Sequence, residues 1–286
     1  MKCINKWICL SLLIAVSCVS GCGKTSAAIE QPYDVYATAA DFGLSSNGTA
    51  EAKSYFASNL CVSEDVAIGT DSTDSQVAEG AGTFNLETNT VVYAKNLYER
   101  LYPASTTKIL TAYIALKYCD DLDAMVTVSE NAVNQASDSS VCNLKAGDVI
   151  RLRDLLYGLM LRSGNDAAVA IAEYISGDVD SFAALMNQEA AAMGATRSHF
   201  VNPNGLPDEN HYTCVYDMYL IFSNAIKNDT FVSIIGTTSY VVTYTDASGE
   251  AVTHTWENTN QYLTGNATTP DGFQIVGGKT GTTGEA

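Results

Sequence analysis

At 286 residues, with 47% apolar and 16% charged residues, the chain is long enough to bury a sizeable core and too apolar to be disordered. Fifteen Lys and Arg against 32 Asp and Glu give a net charge of −17. That excess argues against nucleic acid and against electrostatic attachment to anionic lipid as modes of binding.

Lys2 and Lys6 precede a 13-residue apolar run from Trp7 to Val19, too short to cross a bilayer but of signal-peptide length. The run ends in Val19-Ser20-Gly21-Cys22, which resembles the lipobox of bacterial lipoproteins. Residues 1–21 therefore read as a lipoprotein signal peptide and Cys22 as the lipidated mature N-terminus; an ordinary cleaved signal is the alternative. Export would place the chain on the outer face of the cytoplasmic membrane. Cleavage removes Lys2 and Lys6 and takes the charge to −19, so lipid rather than charge would hold it there. Residues 22–60, small and polar, read as a tether, and 61–286 as the folded domain.

Of eight cysteines, Cys61, Cys119, Cys142 and Cys214 remain after cleavage and lipidation. Their long, irregular spacing fits neither zinc nor a redox motif and leaves disulfides open. His199, His211 and His254 lack the spacing of a helical metal pair, so no metal is expected.

"AGTFNLETNTVVYAKN" alternates around a turn and predicts a β-hairpin. An apolar helix follows from Ser105. "RLRDLLYGLMLRSGNDAAVAIAEYI" predicts two helices broken at Ser-Gly-Asn-Asp, with Gly164 as stop and Asn165 or Asp166 as the next cap. "DSFAALMNQEAAAMGA" predicts a helix capped near Asp180 or Ser181 and closed by Gly194. "NPNGLPDENH" is a turn-rich loop, and "VYDMYLIFSNAI" a helix. "TTSYVVTYTD" and "EAVTHTWEN" form a second hairpin around Ala-Ser-Gly, and "GFQIVGGKTGTT" reads as a last strand. Strands at both ends and helices between them predict an α+β fold: an antiparallel sheet formed by both chain ends, helices packed on it, and an inserted all-helical region.

Ser105 and Lys108, at i and i+3, share a helix face, so the amine can reach the hydroxyl. At the helix start, free N–H groups favour developing negative charge. Lys108 can act as a base only when neutral, which burial and a nearby cation would promote. S-x-x-K alone is weak evidence. Ser163-Gly164-Asn165 at a helix break and Lys279-Thr280-Gly281 near the C-terminus follow it in order. S-x-N also occurs at Ser45-Ser46-Asn47 and Ser129-Glu130-Asn131, but only the Ser163 copy sits at a break between helices.

On these motifs, and on "PASTTKILTA", "DLLYGLMLRSGNDAAVAIAE", "NPNGLPDENHYT", "ENTNQYL" and "DGFQIVGGKTGTT", the chain from about residue 78 resembles the serine penicillin-recognising enzymes. Among them it is most similar to the low-molecular-mass D-alanyl-D-alanine carboxypeptidases, penicillin-binding proteins of the peptidase S11 type. The resemblance implies a β-lactamase/transpeptidase-like fold and trimming of peptidoglycan stem peptides ending in D-Ala-D-Ala. It implies inhibition by β-lactams and no cofactor. Ser105 would be acylated by the penultimate D-alanine, Lys108 would take its proton, and Ser163 would help pass that proton to the leaving amine. Asn165 would bind the substrate backbone, and Lys279 and Thr280 its terminal carboxylate. Gly281 would let the strand edge approach the substrate, and the N–H groups of Ser105 and Thr282 would form the oxyanion hole. Lys279 also supplies the second cation that depresses Lys108.

The family's core continues with strands beyond K-T-G, whereas this sequence stops five residues after Gly281. The domain therefore reads as incomplete at its C-terminus, with an exposed strand edge. Two rival readings stand: a serine β-lactamase, which needs a deacylating glutamate beyond S-x-N that is not evident here, and a non-catalytic wall-peptide binder, against which the intact polar residues argue.

Overall fold

The computed structural model describes Ala57, residues 59–69 and residues 78–282. The expected signal peptide, Cys22 and nearly all of the expected tether lie outside the described residues. Residues Asn59–Ala286 make up one unit. It begins with the predicted hairpin: β1 (Ala81–Asn85) and β2 (Thr90–Lys95) pair antiparallel, Ala81 opposite Lys95.

A one-turn 3₁₀ segment, Ala104–Thr107, leads into α1 (Lys108–Tyr118). Then come β3 (Met125–Thr127), α2 (Glu130–Val133), β4 (Val149–Arg151), α3 (Leu152–Leu161), α4 (Asn165–Ser176) and α5 (Val179–Ala192). After a loop follow α6 (Val215–Ala225), α7 (Asp229–Ile235), β5 (Ser239–Thr245) and β6 (Ala251–Glu257). The elements β3, α2, β4 and α7 have no counterpart in the sequence reading. They span three to seven residues, too few to display a period.

The α+β class holds, but the idea of one sheet built from both chain ends needs correction. Among the described residues β1 and β2 form a sheet of their own, and β3-β4-β5-β6 form a second, antiparallel one. The expected last strand is also missing from any ladder: residues 273–282 carry no strand. A strand exists through pairing, and among the described residues no ladder pairs with this segment. The segment instead passes α7, where a Cβ on Gly277 would lie 2.6 Å from Ile235 Cγ1.

The core gathers around α1, α3 and α4. Leu110, Ile114, Leu155, Leu156, Leu159, Ala168 and Ile171 are fully buried. Each large one contributes about 1.5–3 kcal/mol by leaving water. Helix α1 is apolar on almost all sides because it is central, which makes a lysine at its first position conspicuous. Helix α5 starts two residues earlier than predicted, because the Asp178 side chain accepts the Ser181 N–H at 2.6 Å and so caps it.

Candidate active site

Ser105 sits in the 3₁₀ turn at the mouth of α1. The preceding Ala104 is held at φ +47°, a left-handed conformation costly for a residue with a Cβ. Its carbonyl packs against Gly205 in the loop before α6. Gly205 has φ +89°, and a Cβ on it would stand 1.8 Å from Ala104 O. Only glycine permits that approach.

Lys108 is fully buried directly beneath Ser105. Its Nζ lies 2.9 Å from Ser105 Oγ, 2.7 Å from Asn165 Oδ1 and 2.6 Å from the Asn204 carbonyl oxygen. Burial, and then the charge of Lys279, push its pKa well below the ordinary lysine value. The three partners suit both protonation states. An ammonium donates to all three; a neutral amine keeps two N–H bonds for Asn165 and Asn204 and aims its lone pair at the Ser105 hydroxyl.

Ser163 and Asn165 occupy the break between α3 and α4, Ser163 at φ +58° and both nearly buried. Gly164 caps α4, and its place is a matter of room: a Cβ there would lie 2.4 Å from Cys142 Sγ and 2.8 Å from Asp166 Oδ1. The Asp166 carboxylate accepts the N–H groups of Cys142, at 2.9 Å, and Leu144, at 3.1 Å. It thereby holds the loop that precedes them. Burial pushes the Cys142 thiol far up, so it stays protonated.

Lys279 reaches the same centre from the C-terminal segment, its Nζ donating to Ser163 Oγ at 2.9 Å and to Thr280 O at 2.6 Å. Burial brings its pKa down to about 8. Gly281 passes close to the nucleophile turn; a Cβ on it would stand 3.1 Å from the Ser105 backbone nitrogen. The Thr280 hydroxyl lies 2.6 Å from Thr259 Oγ1 at an exposed position.

A cavity of about 460 Å³ opens over Ser105, with Asn165, Thr282, Ser139, Asn204 and Leu206 among its walls. Among the described residues lining it, Asp138 is the one carboxylate. Lys279 lines a neighbouring apolar groove of about 410 Å³ between β1 and α6, with Phe84, Met218 and Phe222. The structure thus draws Ser105, Lys108, Ser163, Asn165, Lys279, Gly281 and Thr282 to one place, with the Thr280 side chain turned toward Thr259. Cys22 lies outside the described residues. The competing Ser129-Glu130-Asn131 triplet is structural: Ser129 Oγ caps α2, and with Asn131 it donates to Glu173 at 2.6 and 2.8 Å.

Sequence reading missed the Asn204 carbonyl, which no side-chain pattern can announce, and the wall residues Ser139 and Asn204. The four described cysteines, Cys61, Cys119, Cys142 and Cys214, are free thiols.

Residues 69–286 match the peptidase S11 family model, described as D-alanyl-D-alanine carboxypeptidase. The chain is 35% identical over 164 residues to D-alanyl-D-alanine carboxypeptidase DacF of Bacillus subtilis, covering 56% of this chain and 42% of that protein. It is 37% identical over 196 residues to the D-alanyl-D-alanine carboxypeptidase of Streptomyces sp. K15, covering 65% and 67%. The chain spans from about a third to two thirds of the length of the curated relatives it matches. Among solved structures, the Streptomyces K15 DD-transpeptidase superposes with a TM-score of 0.66 at 34% identity, over 72% of this chain and 80% of that one. D-alanyl-D-alanine carboxypeptidase DacD of Francisella tularensis does so with a TM-score of 0.66 at 28% identity, over 78% and 64%. A family match across residues 69–286, on a fold that superposes on DD-peptidases, means that this chain belongs to the D-alanyl-D-alanine carboxypeptidase family, peptidase S11.

Proposed function

We propose that the chain is a serine D-Ala-D-Ala carboxypeptidase that removes the terminal D-alanine of peptidoglycan stem peptides through an acyl-serine intermediate. The observation that carries this reading is Lys108 Nζ, buried 2.9 Å from Ser105 Oγ with Asn165 and Asn204 taking its other hydrogens. Neutral Lys108 removes the Ser105 proton as Oγ bonds to the penultimate D-alanine carbonyl carbon. The oxygen of that carbonyl becomes an anion beside the N–H groups of Ser105 and Thr282. Collapse breaks the peptide C–N bond, and the proton taken from Ser105 returns to the leaving amine by way of Ser163. Water then cleaves the ester, restoring Ser105.

Lys279 and Thr280 hold the terminal carboxylate, and Asn165 Nδ2 is left to bind the peptide backbone because Oδ1 is committed to Lys108. β-Lactams acylate the same serine and inhibit. The wall peptide lies outside the cytoplasm, which agrees with the signal-like N-terminus; we infer that Cys22 carries the lipid that anchors the protein there.

The two acids of α4, the helix that begins at Asn165, support the carboxypeptidase over a β-lactamase. Asp166 is engaged by backbone N–H groups, and Glu173 by Ser129 and Asn131, so neither is placed to activate a deacylating water. The test is intact mass after exposure to benzylpenicillin, on protein lacking residues 1–22, with Ser105→Ala as control. A lasting adduct that requires Ser105, together with D-alanine release from a D-Ala-D-Ala peptide, is the expected result. Hydrolysed penicillin without an adduct would establish the β-lactamase, and neither outcome from folded protein the binder.

A further inference from the structure

The loop that brings the Asn204 carbonyl to Lys108 is fastened to the nucleophile turn by a side chain that the chemistry above does not use. His211 is 1% exposed. Its Nδ1 accepts the Val201 N–H at 3.1 Å, so a neutral ring must carry its proton on Nε2. Nε2 lies 2.9 Å from Thr107 Oγ1 and donates to it. Thr107 is itself fully buried, between Ser105 and Lys108 in the turn. The ring therefore clamps the two ends of segment 201–211 together and onto that turn. Between these ends the segment offers Pro203 O to Thr111 Oγ1 at 2.7 Å and Asn204 O to Lys108 Nζ at 2.6 Å. Phe200 stands edge-on to the ring at 5.5 Å, an environment that an apolar ring would fill equally well. What histidine adds is the pair of directed hydrogen bonds.

We propose that His211 is a positioning residue for acylation: by bracing Thr107 and Val201 it holds the Asn204 carbonyl on Lys108 Nζ and keeps that amine aimed at Ser105 Oγ. Its kinetic consequence rests on the carboxypeptidase reading; its structural consequence does not. The brace requires the neutral ring, because a proton on Nδ1 would face the Val201 N–H. Burial dominates and takes the pKa to about 4; Asp208 opposes that shift and His199 adds to it. Thr107 and Val201, which touch the ring nitrogens, contribute no charge.

The test measures the acylation rate constant and the non-covalent binding constant for benzylpenicillin, with Tm, for six forms. These are wild type, Thr107→Val, Thr107→Ser, His211→Phe, the Thr107→Val/His211→Phe double variant and Ser105→Ala. The ¹³Cε resonance of Lys108 is recorded for wild type, Thr107→Val and Thr107→Ser. Thr107→Val and His211→Phe should each slow acylation about tenfold, the worth of one well-placed hydrogen bond, with binding unchanged. The double variant should be no slower than the slower single one, and Thr107→Ser should restore the rate. A shifted Lys108 resonance in Thr107→Val but not in Thr107→Ser is expected as well.

Variants that lose Tm yet acylate at the wild-type rate would reduce His211 to a core residue and overturn the proposal. Single effects that multiply in the double variant would overturn it too. Should His211→Phe not fold, the Thr107 pair still decides. If wild type is not acylated at all, the carboxypeptidase reading falls, and the Lys108 resonance alone then upholds the brace if it moves or rejects it if it does not.

Discussion

Lys279 Nζ lies 2.9 Å from Ser163 Oγ, one hydrogen bond between residues 116 positions apart. It joins the C-terminal segment to the break between α3 and α4, and it places a second ammonium beside buried Lys108, whose pKa it helps to lower.

In the proposed mechanism Lys279 has a second task, holding the substrate carboxylate, and pH separates the two. Its ammonium, with a pKa of about 8, is the form that holds a carboxylate. For a D-Ala-D-Ala peptide, kcat/KM should decline above about pH 8, by up to tenfold per unit. A substrate whose C-terminus is amidated should show no such decline. Equal profiles for the two substrates from pH 7 to 9.5 would remove Lys279 from carboxylate binding.

Replacing Lys279 by Gln removes the charge that acts on Lys108 and leaves only burial to depress it. Lys108 should then lose its proton at higher pH, moving the acid limb of acylation upward, while Lys108→Met should cost about 10²–10⁴-fold in acylation rate. Stopped-flow acylation across pH 5–9 measures both. An acid limb unmoved in Lys279→Gln would mean that the two amines do not interact.

Gly164 and Cys142 compete for one space. Gly164→Ala puts a methyl carbon 2.4 Å from Cys142 Sγ, and should destabilise by about 1–3 kcal/mol through overpacking. Adding Cys142→Ala should recover part of that loss, because the sulfur is the nearer obstacle and Asp166 Oδ1 remains at 2.8 Å. Urea melts of both single variants and the double provide the comparison, and simple additivity would show that the contact is not the cause.

His211 predicts acid sensitivity of the fold. Its folded pKa of about 4 lies below the unfolded value of 6.5, so between these limits the unfolded chain binds more protons. Stability contributed by the neutral ring is complete above pH 6.5 and is lost as pH falls toward 4, by about 3 kcal/mol. His211→Phe should flatten that part of the curve. Urea melts between pH 4 and 7 that have the same slope for both proteins would place the sensitivity elsewhere.

Both hairpins, α1, the α3–α4 break and the helices α5 and α6 were legible in the sequence. Each rests on a period or a turn signal contained within a few neighbouring residues. The pairing of Ser105 with Lys108 was legible for the same reason, since three positions along a helix return to one face. Ser163 could be preferred over Ser129 because a helix break is itself a local signal; the structure adds what Ser129 and Asn131 do instead, which is to hold Glu173.

Relations between distant residues were decided by the tertiary structure alone. Lys108 meets the carbonyl of Asn204 across 96 positions, and a backbone oxygen is the same atom in every residue, so composition cannot mark it. The K-T-G segment has a strand's composition, yet a strand is defined by its neighbours, and among the described residues none pairs with it. His211 looked like an isolated histidine because its partners, Thr107 and Val201, are brought to it only by the fold. Local periodicity and chemistry determined which residues could act; the packing of the 201–211 loop under α1 decided how they are held.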